Sequence, residues 1–69
     1  MKDWRSVYAT EKEHRAEIVR SVLLENQIVA VVVNKSDSMY RMFGRYEVHV
    51  APENLLRALK IIEDDISFK

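Results

Sequence analysis

Ile28-Val29-Ala30-Val31-Val32-Val33 is the stretch whose reading decides the fold. It is apolar on both alternating faces and β-branched everywhere except Ala30. A buried helix turn would be as apolar, but the shortness of the run and its χ1-restricted valines favour a strand. A strand with two apolar faces meets helices on one side, and its other side is not bare to water either.

Upstream, the periodicity changes. Ala16, Val19, Val22 and Leu23, with Ile18 beside them, recur at helical spacing, while Lys12, Arg15, Glu17 and Arg20 occupy the opposite face. Thr10 with Glu13 three residues on reads as a capping box that opens this helix. Glu11 and Glu13 in its first turn suit the helix dipole. Asn26 is the residue expected to take a left-handed conformation at its end. Before the helix, Trp4 to Ala9 reads as a first strand, with Trp4, Ser6 and Tyr8 on one face and Arg5, Val7 and Ala9 on the other. Downstream, 34–44 is a polar loop that ends on the chain's only glycine, Gly44. Tyr46 to Val50 alternates as a strand, Pro52 suits a first helical position, and Leu55, Leu56, Leu59, Ile62 and Ile66 form a second apolar stripe. Strand, helix, strand, loop, strand, helix is the order of a small α+β sandwich, with helices on one face of an antiparallel sheet.

Sixty-nine residues make one domain, 1–69. A chain this short buries only about 60% of its unfolded surface, so tight packing or self-association must support it. Without cysteine there are no disulfides, thiolate metal sites or cysteine nucleophiles. Eleven basic and eleven acidic residues cancel, which leaves no global field for nucleic acid or anionic lipid. The longest apolar run falls far short of the ~20 residues that span a bilayer. The expected location is the cytoplasm.

Over nearly its whole length the chain resembles a small bacterial family described as putative prokaryotic signal-transducing proteins. Trp4-x-x-Val7-Tyr8, Ala16-Glu17-Ile18-Val19 and Asn34-Lys35-Ser36-Asp37-Ser38 carry the likeness. Phe43-Gly44, Tyr46-Glu47-Val48-x-Val50 and Ala58 continue it. The block with Asn34-Lys35 and Asp37-Ser38 is the most specific part. The resemblance implies a ferredoxin-like, PII-like α+β fold and a loop between the second and third strands that contacts ligands and targets. The family tends to place glycine where Gln27 stands. Gln27 would then meet a left-handed position, at a cost of about 1 kcal/mol.

No reaction chemistry emerges. Glu11-x-x-His14 has the spacing of a helical metal-carboxylate pair but lacks further ligands, so a solvated first turn is the better reading. Glu47 and His49 share a strand face, yet two histidines and no cysteine do not make a metal site. Ser36, Ser38, Asp37 and His49 could be drawn as a triad, but the glycine-flanked nucleophile turn is absent and Ser-Asp-Ser is ordinary turn chemistry. One glycine cannot build a phosphate cradle. The third strand lacks the aromatic and basic pattern of RNA-recognition strands, and Lys35, Arg41 and Arg45 make only a small basic cluster.

The expected architecture is therefore a ferredoxin-like βαββα sandwich, its third strand between the first and second, and a fourth strand absent or reduced to Ile66-Ser67-Phe68. The expected function is a non-enzymatic regulatory module that binds a protein partner or small ligand through the 34–44 loop and the exposed sheet face. The alternative is a structural homo-oligomerisation or docking domain without a ligand. Recognition is expected from Trp4, Tyr8, Asn34, Lys35, Asp37, Ser38, Tyr40, Phe43, Glu47 and His49. No cofactor, metal, nucleic acid or membrane is expected, and a homo-oligomer, preferentially a dimer, is. Met39, Tyr40, Met42 and Phe43 can serve equally as an adaptable contact surface or as a cover over the core edge.

Overall fold

The computed structural model describes residues 3–35 and 45–65. It contains β1 (Arg5–Thr10), α1 (Glu13–Glu25), β2 (Ala30–Asn34), β3 (Tyr46–Val50), a 3₁₀ turn (Pro52–Asn54) and α2 (Leu55–Asp65). The three strands form one antiparallel sheet in the order β1-β3-β2. This is the expected ferredoxin-like α+β arrangement, with the third strand central. The segment 66–68, and with it Ile66 of the second stripe, lies outside the described residues.

A single core joins helices and sheet: Ala16, Val19, Leu23, Ile28, Ala30, Val48, Val50 and Ala58 are buried. The alanines matter, because a small side chain on each helix and on β2 lets the layers approach closely. Val7, Tyr8, Val32, Tyr46, Ile61 and Ile62 pack around this centre, partly exposed.

Several boundaries differ from expectation, each for an identifiable reason. Thr10 is not an N-cap. It ends β1, paired with Tyr46, and its hydroxyl accepts the Lys12 N–H at 3.1 Å. The helix starts two residues after the position a capping box would require, with Lys12 at the N-cap and no side-chain cap. Ladder pairing to β3 has taken the residue that the local signal assigned to the helix.

The end of α1 is a Schellman turn. Ile28 N–H donates to the Leu23 carbonyl and Gln27 N–H to the Leu24 carbonyl, both at 2.9 Å. Gln27, not Asn26, is left-handed, at φ 66°. Asn26 instead stays near φ −95° and ties down the last turn by donating from Nδ2 to the Val22 carbonyl at 2.8 Å. Ile28 and Leu23, fully buried, complete the motif's hydrophobic contact, so β2 begins only at Ala30.

Both apolar stripes are wider than the surface that covers them. Ile18 and Leu24 are about half exposed on α1, and Leu56 and Leu59 are exposed on α2. α2 packs against β1 and α1, and of its stripe only the side near Ala58, Ile61 and Ile62 reaches the core. Among the described residues no helix is long and apolar enough to cross a membrane.

Candidate functional site on the outer sheet face

Pairing in register places Val31 beside His49 and Val33 beside Glu47, while Ala30, Val32 and Asn34 align with Val50, Val48 and Tyr46. Paired residues of antiparallel strands share a face. Val48 and Val50 belong to the buried core, so Glu47, His49, Val31 and Val33 form the face turned away from it.

β1 completes that face differently from strict alternation. Ser6 pairs with His49, Tyr8 with Val48 and Ala9 with Glu47, and the register shifts between Ser6 and Tyr8. Val7 is the additional residue of a β-bulge. Val7 and Tyr8 therefore both pack toward the core, and Ser6 and Ala9 look outward. The expected placement of Tyr8 on the recognition face is corrected: a bulge between it and Ser6 turns it to the helix side.

At the centre of the outer face stands the Glu47 carboxylate. Its side chain is only 14% exposed and that of His49 16%. His49 Nε2 donates to Glu47 Oε1 at 3.0 Å; an ionised carboxylate only accepts, so Nε2 carries the proton. Arg45 Nε lies 3.3 Å from Oε2, and Lys35 Nζ 3.9 Å from Oε1. The His49 hydrogen bond, helped by the charges of Lys35 and Arg45, holds the Glu47 carboxyl below the usual range against the opposing effect of burial.

Local sequence explains the convergence. Arg45, Glu47 and His49 follow at every second position and so point to one side of a strand. Lys35 joins them across the hairpin, because its N–H donates to the Arg45 carbonyl at 2.7 Å and continues the β2–β3 ladder by one rung. That hydrogen bond closes the neck of the 34–44 segment, and both residues at the neck send their cations toward Glu47.

Of the expected recognition residues, Lys35, Glu47 and His49 meet. Asn34 ends β2 in register with Tyr46, on the helix side of the sheet, so it does not join them. Trp4 is half-buried one residue before β1. Asp37, Ser38, Tyr40 and Phe43 lie outside the described residues. Arg45 was missing from the expected set, although its spacing to Glu47 and its place opposite Lys35 were available signals. Glu11 and His14 are both exposed, Glu11 before α1 begins and His14 within its first turn. Among the described residues no group of three His, Asp or Glu side chains is placed to hold a metal ion. A separate shallow recess of about 350 Å³ lies between the end of α1 and α2, lined by Asn26, Arg57, Lys60, Ile61 and Asp64.

Comparison with known proteins adds one finding. The model of a family described as "putative prokaryotic signal transducing protein" matches residues 4–65, most of the chain. No curated protein and no solved structure gives a match.

Proposed function

The chain belongs to this family, described as "putative prokaryotic signal transducing protein", and from that premise we propose that it is a non-enzymatic, cytoplasmic regulatory module. It receives a protein partner or small ligand on the outer sheet face, at the neck of the 34–44 segment, in a PII-like manner. The observation that carries this reading is the Glu47 cluster. A carboxylate that is nearly covered on a sheet's outer face, held by Lys35, Arg45 and His49, is a fixed polar pattern surrounded by half-buried Val31 and Val33. Such a combination of apolar surface and a few oriented polar groups suits recognition. The His49 hydrogen bond fixes the orientation of the Glu47 carboxylate, which supports a preformed recognition surface.

Thermal melts in the presence of inorganic phosphate, nucleotides, dicarboxylates and amino acids test the small-ligand form. A ligand that binds the native state raises the midpoint by mass action. The expected result is a concentration-dependent rise for one chemical class that disappears in the Lys35→Ala/Arg45→Ala double variant. A rise that persists in that variant removes the cluster from the site.

A second reading, a homo-oligomeric docking domain, is favoured by the exposed apolar side of α2. Dimerisation is compatible with the first reading and is the assembly we propose. A purely structural domain keeps one melting midpoint throughout that panel.

A further inference from the structure

Leu56 is 80% exposed and Leu59 42%, on a helix whose Ala58 is fully buried. Leu56 does not stand alone. Glu53, Leu56 and Lys60 follow at i, i+3 and i+7 along the 3₁₀ turn and α2, so they form one surface row with a leucine between opposite charges. All three are exposed.

That row is complementary to itself when reversed. A two-fold axis beside Leu56 brings an antiparallel copy of α2 alongside, and the seven-residue spacing, roughly 10 Å of helix, sets each Lys60 level with the other copy's Glu53. Leu56 and Leu59 then fill the seam between two symmetric ion pairs. From this we propose that a second copy of the same chain docks here, α2 against α2. The proposal rests on the homo-oligomer reading above and assigns its surface.

Two further observations favour this face over one rival, the edge of β1 that has no strand partner among the described residues. The Val7 bulge disrupts the regular ladder of β1 and bends the strand, which makes its outer edge a poor template for added strands. Lys60 has only a surface partner to give up, Asp64 at 3.4 Å with both side chains mostly solvated, and pairs of that kind contribute little.

Sedimentation equilibrium of the full chain at micromolar concentrations, with circular dichroism as the control for folding, tests the proposal. The wild type is expected at twice its 8.1 kDa mass, and Leu56→Glu at the monomer mass with an unchanged spectrum. Lys60→Glu sets like charges against each other twice and should raise the dissociation constant about tenfold or more. Adding Glu53→Lys to Lys60→Glu should recover the wild-type constant. A monomeric wild type overturns both this surface and the oligomer reading. A dimer that survives Leu56→Glu overturns the surface alone. Failure of the charge exchange to restore association, where Leu56→Glu abolishes it, overturns the antiparallel arrangement.

Discussion

At the scale of single residues, two positions hold free energy that a substitution can reveal. Gln27 occupies the left-handed position of a Schellman turn that glycine fills without steric cost. Gln27→Gly should therefore stabilise the domain by about 1 kcal/mol, read as a higher urea midpoint with an unchanged slope. An unchanged midpoint would mean that the glutamine side chain compensates. Glu47 is the second position. Its folded carboxyl titrates below the unfolded one, so the stabilisation is complete above the ordinary glutamate range and is lost as pH falls through the lower folded value. Wild-type stability should drop across that acid window, and Glu47→Gln should flatten the drop, measured by urea denaturation from neutral pH down to the acid limb. Equal acid slopes in the two proteins would show that Glu47 is not the group responsible.

Elements show where sequence patterns are sufficient and where a neighbour overrides them. β3 is legible to the residue, because strict alternation from Tyr46 to Val50 needs no information from elsewhere. The start of α1 is not, since Thr10 answers both to a capping pattern and to its ladder partner Tyr46, and the ladder wins. The consequence is an uncapped helix. Lys12 already has the extended backbone of an N-cap, φ −108° and ψ 116°, but its side chain accepts nothing. Lys12→Ser should supply the missing acceptor and add about 1 kcal/mol, seen as a raised denaturation midpoint; no gain would mean that the first-turn N–H groups are already well satisfied by water. The face of Tyr8 was equally hidden, because a bulge exists only between two strands and leaves no mark in one. The candidate site was half legible for the same reason. The spacing of Glu47 and His49 shows their common face, whereas the approach of Lys35 depends on a hairpin closed by its hydrogen bond to Arg45. On α2, periodicity marks an apolar arc but cannot say how much of it the neighbouring β1 and α1 will cover.

For the whole molecule, small size dominates. Domains of this length are stable by roughly 3–10 kcal/mol, so one well-placed contact between copies is a sizeable fraction of the total. The same economy gives the bulge in β1 a meaning beyond the direction of Tyr8. Every pairing of β1 with β3 skips Val7: Ser6 opposes His49, and Tyr8 opposes the next residue back, Val48. A chain lacking Val7 would thus run Ser6 directly into Tyr8 with all five partners kept and each remaining side chain on its present face. Deletion of Val7 should leave a folded protein with the same strand register in nuclear Overhauser spectra, weakened by the loss of one half-buried valine, and an unfolded chain would refute this. What would change is the outer rim, now straight and regularly spaced. Such a rim can seed cross-β growth, so the shortened protein should develop thioflavin fluorescence on storage where the natural one does not. Among the described residues β2 forms the opposite edge in unbroken register, so fluorescence that appears only in the shortened protein would assign the guard to the β1 bulge.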